Sequence, residues 1–281
     1  MAISIATNVD SASALRFLDK TSRNISRSVT RLSSGLRINA DADDSSGLAI
    51  SEQLKSLVRG LAQAQRNGQD GISMTQVAEG ALGEIHGALI RMRELAMQSA
   101  NASQNDTTRG FIGVEYESLK SEIDRIANAA DFNGIKLLST TSGITFQVGA
   151  GANATENSIT VAMLDVNTSS LGAGASTTTL SGSTVSTLGN SLEAISTIDQ
   201  AITDISNARS NIGASQNRLQ LALDTVSNAR ENLIAVNSRI RDVDVATESS
   251  DFTRTQILSQ AAVSVVAQAN QLPGMGLKLI G

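Results

Sequence analysis

The chain is predicted to be mainly α: a long antiparallel helical bundle or coiled coil with one small β-hairpin, in which the N- and C-terminal segments pair. Three observations predict this. Apolar residues near both ends recur on alternating steps of three and four, the rhythm of helices that pack lengthwise on a partner. One proline, Pro273, stands among 281 residues, so few positions break a helix. Aromatic residues make up only 2% of the chain, which suits thin layers of long helices better than a thick aromatic core.

The first helix is expected from about residue 5 to Leu32, with Leu18, Ile25, Val29 and Leu32 as its seam and Ser22 in the remaining slot. Ser33-Ser34-Gly35 supplies a stop. LRINADADD (36–44) reads as irregular chain, and Asp41, Asp43, Asp44 and Ser45 are candidate N-caps for the next helix. That long helix is predicted over 48–99. Its seam runs Ile50, Leu54, Leu57, Leu61, Ala64, blurs in QRNGQDG (65–71), and resumes one residue out of phase as Met74, Ala78, Ala81, Ile85, Ala88, Met92, Leu95. A shorter helix is expected near 109–129, and FNG (132–134) signals a turn.

Ile144, Phe146 and Val148 alternate with polar residues, as do Ile159, Val161 and Met163, which predicts a hairpin near 143–163. Residues 167–190 are rich in Ser, Thr and Gly and predict a surface loop or small flexible cap. Next comes the strongest periodicity: Ile195, Ile198, Ile202, Ile205, Arg209, Ile212, Gln216, Leu219, Leu223, Val226, Arg230, Leu233, Asn237, Ile240. The four polar slots share one heptad letter, so they weaken the seam while fixing its register. The last helix is expected over about 250–271, ending near Pro273, with Leu258, Ala262, Val265, Ala269 and Leu272 as its seam.

Chemistry for catalysis is sparse. His86 is the one histidine and reads as a solvated helix residue; no HExxH, P-loop, GxGxxG or GxSxG pattern occurs. The Asp41, Asp43, Asp44 group lacks EF-hand spacing and reads as helix capping. No cofactor or metal is expected. A net charge of -5 argues against nucleic acid as a partner. Without Cys there are no disulfides or thiolate metal sites. No stretch reaches the length of a membrane span, and MAISIATNVDSASALRF lacks the regions of a cleaved signal peptide. Gly80, Gly83 and Gly87 lie on one helical strip, read either as weak spots or as a smooth groove for a close neighbour.

Several segments resemble one family, the bacterial flagellins. RLSSGLRINADADDSSGLAISEQL (31–54), RMRELAMQSAN (91–101), EYESLKSEIDRIA (115–127) and FNGIKLL (132–138) are similar to its N-terminal signature, and FQVGA (146–150) is similar to its hairpin. SRIRDVDVA (238–246) and ILSQAAVSVVAQANQLP (257–273) are similar to its C-terminal signature. The resemblance implies a non-enzymatic subunit of a filament. Its ends, 1–44 with 237–281, would form an inner coiled coil, disordered in the free subunit and paired on polymerisation through Leu18, Ile25, Val29, Leu32, Leu258, Val265 and Leu272. Residues 45–166 with 191–236 would form an outer-tube domain seamed by Ile85, Met92, Leu95, Ile202, Ile205, Ile212, Leu219, Leu223 and Val226. The loop 167–190 stands where larger relatives insert outer domains, and in some relatives such segments carry O-glycans.

The resemblance also implies export through the flagellar apparatus without a cleaved signal. The implied partners are an export chaperone, cap and junction proteins, and a vertebrate Toll-like receptor touching Arg91, Leu95 and Glu115. A hook–filament junction protein would share the same terminal architecture.

Overall fold

A computed structural model describes residues 7–173 and 178–278, the side chains of 272–278 aside. The helices are α1 (Val9–Ser34), α2 (Ser45–Ser99), α3 (Asp106–Ala129), the single-turn α4 (Ala154–Asn157), α5 (Leu188–Arg241) and α6 (Val245–Lys278). The strands are β1 (Asp131–Phe132), β2 (Ile135–Lys136), β3 (Ile144–Gln147) and β4 (Ser158–Val161). The chain divides into a terminal unit, Met1–Val58 with Glu231–Gly281, and a central unit, Arg59–Arg230. Residues 45–58 and 231–236, expected with the outer-tube domain, thus group with the ends. Side chains tie them there: Ser51 donates to Asn237 at 2.7 Å and Arg241 to Glu52 at 2.7 Å.

In the terminal unit α1 opens on Asn8, whose side chain accepts from the Ser11 N–H at 2.9 Å. It closes on Gly35, which takes a left-handed φ of 71° that costs glycine nothing. The segment after it is a built junction rather than loose chain. Leu36 bridges Asp242, the Arg37 N–H donates to the Arg241 carbonyl at 2.6 Å, and the Val243 N–H donates to the Gly35 carbonyl at 3.0 Å. Ile38 is buried beside it. The aspartates then divide their work. Asp44 caps α2 by accepting from the Gly47 N–H at 2.8 Å. Asp43 accepts from the backbone of Asn39 and Ala40, each at 3.2 Å. The Asn39 N–H, then Ala40 and the nearby Arg31 and Arg27 guanidiniums, hold the Asp43 carboxyl below its ordinary value against partial desolvation.

The last helix is longer than the sequence implied. It starts at Val245, capped by Asp244, which accepts from the Thr247 hydroxyl at 2.7 Å and the Ala246 N–H at 3.0 Å. It continues through Pro273 and the glycines after it to Lys278. A proline's φ is already helical, but inside a helix it removes one donor and crowds the carbonyl four residues earlier, here that of Ala269; α6 nevertheless continues past it.

The central unit has a continuous core drawn from α2, α3, α5 and the two hairpins. Asn133 (φ 50°) and Gly134 (φ 79°) make the tight turn between β1 and β2, the pair of positive φ values that a two-residue hairpin needs. The second hairpin forms where the alternation predicted it, and its register sets Ile144 opposite Val161 and Phe146 opposite Ile159. The phase shift expected in α2 is absent: the buried line runs Ala64, Gly68, Gly71, Thr75, Ala78 without a break, and the two glycines carry it where the apolar pattern fails. Gly68 and Gly71 face the core where side chains press in: a Cβ on Gly68 would lie 2.6 Å from Leu223, and one on Gly71 3.1 Å from the Phe146 ring. Among the described residues nothing outside the helix's own backbone comes within 4 Å of a Cβ placed on Gly80, Gly83 or Gly87, so no described part of this chain packs closely on that strip.

The Ser/Thr/Gly segment overturns its reading as a surface loop with little to bury. Leu171, Leu180 and Val185 belong to the core, and Thr168 and Ser183 are buried as well. Its small polar groups are met by fixed side chains. Asp124 accepts from the Thr168 N–H and hydroxyl, both at 2.8 Å, and Asp204 accepts from the Gly172 N–H at 3.2 Å. Buried Lys120 donates to the carbonyls of Ser181 at 2.9 Å and Ser183 at 3.1 Å. Such partners remove the cost of burying polar backbone.

Candidate functional site

The ends of the chain supply the surface that function has to explain. Helices α1 and α6 run antiparallel: Ser11 donates to Asn270 at 2.7 Å, and Ser28 to Glu248 at 2.5 Å. The facing lines keep steps of three and four. On α1 the enclosed residues are Ser11, Ala14, Leu18, Thr21, Ile25, Ser28 and Leu32; on α6 they are Glu248, Phe252, Thr255, Ser259, Ala262, Val266 and Ala269. Leu18, Ile25 and Leu32 therefore lie in the seam, half-buried. Val29, Leu258 and Val265 do not, being 49%, 42% and 53% exposed. Ser28, Ser259 and Val266, one position away, take their places. The side chain of Leu272 lies outside the described residues.

The result is a seam rich in Ser, Thr and Ala whose larger neighbours face outward. Leu15, Phe17, Ile257 and Val263 are also exposed on these two helices. Phe17, Leu258 and Val265, with Ala14, Ala261 and Ala262, line an open apolar groove between the helices. Ion pairs flank the other end, where Arg31 lies 3.6 Å from Glu248 and 4.0 Å from Asp43. Half-burial of Leu18, Ile25, Leu32, Phe252 and Val266 contributes only part of the roughly 1.5–3 kcal/mol that full burial of each would give.

In the central unit Ile85, Met92, Leu95, Ile205, Ile212, Leu219, Leu223 and Val226 are buried, and Ile202 is partly buried against the same core. The polar slots of α5 divide. Arg209 and Gln216 are displaced from the buried line by Ala208 and Ser215, and Arg209 reaches Glu79 at 3.9 Å instead. Arg230 and Asn237 stay half-buried and find partners, Gln65 at 3.4 Å and Ser51 at 2.7 Å.

Of the three residues implied for a receptor, two share a surface. Arg91 pairs with Glu115 at 2.8 Å and with Glu94 at 3.0 Å. The Glu115 hydrogen bond, then that of Glu94, raises the Arg91 pKa, which keeps it cationic at any ordinary pH. Leu95 is 2% exposed and faces the core, so a partner cannot touch it while the helix is folded. Arg91 and Leu95 are one turn apart on α2, but Arg91 lies at the edge of the buried stripe and Leu95 within it, while Glu115 comes from α3.

His86 is half-buried with its Nδ1 enclosed, not the solvated residue expected. Among the described residues no three metal-ligating side chains gather, and no helix is long and apolar enough to cross a membrane.

Sequence reasoning passed over Tyr116, the one tyrosine. It is fully buried and its hydroxyl meets that of Ser183 at 2.7 Å. Burial pushes its phenol up to about 12, against the easing effect of Ser183. Because the folded value lies above the unfolded one, its contribution to stability is complete below pH 10 and is lost as pH rises toward 12. Ultraviolet titration should therefore show one phenolate transition near pH 12 in native protein and near 10 in denaturant. Coincident transitions would mean that the loop does not enclose this ring.

Two family models match the chain. The bacterial flagellin N-terminal helical region covers residues 5–143, and the bacterial flagellin C-terminal helical region covers 195–280. The flagellin of Halalkalibacterium halodurans is 42% identical, over 90% of this chain and 91% of that one. The flagellin of Bacillus subtilis is 40% identical, over 95% and 97% respectively. A solved structure described as a putative flagellar hook-associated protein from Vibrio parahaemolyticus shares the fold, with a TM-score of 0.59 over 71% of this chain and all of that one, at 18% identity. With matched termini, matched length and the same helical architecture, the chain belongs to the bacterial flagellin family.

Proposed function

We propose that the chain is a structural subunit that polymerises into the bacterial flagellar filament used for swimming, and that its paired ends carry the surface that meets other copies. One observation supports this most directly. The α1–α6 seam encloses mainly small and polar residues, while Phe17, Val29, Leu258 and Val265 stand exposed beside it. A helical pair that served only itself would bury its largest apolar residues first. Here several of them, Phe17, Val29, Leu258 and Val265, face outward, and docking many copies lengthwise would cover them.

Ordering a residue costs about 1–2 kcal/mol of backbone entropy. A weak internal seam leaves that cost unmet in a lone chain and meets it at the filament end, where several neighbours are already fixed. Growth is then nucleated and proceeds by end addition. The relatives' names describe a structural protein, which underlies the non-enzymatic reading. A hook–filament junction role is not favoured, since the flagellins match at 40–42% identity and the hook-associated structure at 18%.

The subunit works outside the cell as part of the flagellum. Its export in unfolded form without a cleaved signal, an export chaperone on the C-terminal region, a cap and junction proteins complete the proposed partners. Any receptor surface would use Arg91 and Glu115, whose side chains are exposed together.

Replacing Leu258 and Val265 by Asp tests the reading. Both are exposed in the single chain, so helical ellipticity should hardly change, while electron microscopy should show no long filaments. Normal filaments from the double variant would refute the proposed surface.

A further inference from the structure

The start of α1 meets α6 at one chemically distinct spot. In α6 the carbonyl of Ala269 is the one that an N–H at position 273 would normally engage, and Pro273 has none. Ala269 is buried, so water is a poor substitute. The Asn8 amide answers it: Nδ2 donates to the Ala269 carbonyl at 2.8 Å. The other atom of the same amide, Oδ1, accepts from the Ser11 N–H at 2.9 Å and caps α1. Ser11, itself buried, donates from its hydroxyl to Asn270 Oδ1 at 2.7 Å.

We infer that Asn8 is a positioning residue that fixes the register of α1 against α6, by supplying the hydrogen bond that Pro273 withholds from the Ala269 carbonyl. Seam residues repeat on a heptad, so sliding by one heptad would still set apolar residues against apolar ones; what a slip breaks are the polar contacts, those of Ser11 to Asn270 and Ser28 to Glu248 together with that of Asn8. A freed carbonyl occurs once. Asn8 can both cap its own helix and reach that carbonyl in only one alignment. In a slipped alignment Asn8 no longer reaches that partly buried carbonyl, and the hydrogen bond is lost. The chain's one proline thus marks an address rather than an end.

This inference rests on the filament reading, and its tests separate the two. Asn8→Asp keeps the capping oxygen but removes the donor. In seeded polymerisation of the full chain it should raise the subunit concentration needed for growth about ten-fold, the effect of one unanswered buried acceptor. Pro273→Ala restores the backbone N–H, so Asn8→Asp should add no further loss in that background. A loss of equal size in both backgrounds, or none in either, overturns the inference while leaving the filament intact.

Register can also be read directly, because the chain has no native cysteine. Cysteines at Ser28 and Glu248 report the native alignment, and cysteines at Ser28 and Thr255 report a slip of one heptad. Asn8→Asp should make the second pair form disulfides that the parent chain does not. If only the native pair closes in both, Asn8 does not set register. Failure of the parent chain itself to polymerise would overturn the proposed function and this inference together.

Discussion

Deleting residues 1–44 should abolish filament formation and leave a soluble, helical chain. The loss removes α1, and with it the partner of Phe252, Thr255, Ser259, Ala262 and Val266 on α6. It also removes the junction in which the backbone of Gly35 and Arg37 pairs with that of Arg241 and Val243. With α1 gone, α6 keeps no line to pack on and exposes both faces. The central unit should be unaffected: its core runs from Ile72 to Leu223 and draws nothing from the first 44 residues. Circular dichroism should register a loss no larger than the combined share of α1 and α6, 26 and 34 residues. Thermal unfolding of the remainder should stay cooperative. Removing residues 237–281 should have the same consequence from the other side. Long filaments from either truncated chain would sink the account of paired ends.

Leu180→Ala should destabilise the central unit by about 2–5 kcal/mol, the usual cost of truncating a buried leucine with incomplete collapse of the cavity. Composition suggests otherwise, since Leu180 sits in a run of Ser, Thr and Gly that resembles filler. The structure encloses it completely among core residues, with Leu171 and Val185 in the same cluster. The segment is clamped by Lys120, Asp124 and Asp204, which hold its backbone carbonyls and N–H groups. The cavity left by alanine therefore has little freedom to close. Leu188, 44% exposed, provides the control: Leu188→Ala should change stability by only about a few tenths of a kcal/mol. Equal denaturant midpoints for the two variants would show that the segment is not part of the core.

Much of the architecture was legible in the residues. The heptad ladders gave the helices, the 144–148 and 159–163 alternation gave the hairpin though not its register, and Asn133-Gly134 gave a turn. Helix ends were less legible. Pro273 reads as a stop because the ladder loses a donor there, but a side chain near the other end of the chain, on Asn8, supplies one. The segment 167–190 misled for a related reason. Polar composition signals exposure only if the polar groups have no fixed partners, and their partners here lie on α3 and α5.

The sequence by itself determined the helical class, the order of the elements and membership in the flagellin family, because periodicity and local signatures are properties of neighbouring residues. Only the tertiary structure decided which member of each adjacent pair enters a seam. On α1 it is Ser28 over Val29, on α5 Ala208 over Arg209 and Ser215 over Gln216, and on α6 Ser259 over Leu258 and Val266 over Val265. A one-residue change of phase turns a helix by about 100°. Hydrophobicity alone cannot choose, because the choice depends on how closely two helix axes approach and on what covers the opposite face. Small residues such as Ser28 and Ser259 permit the close approach, and Val29 and Leu258 beside them are left facing outward, where the proposed neighbours would bury them.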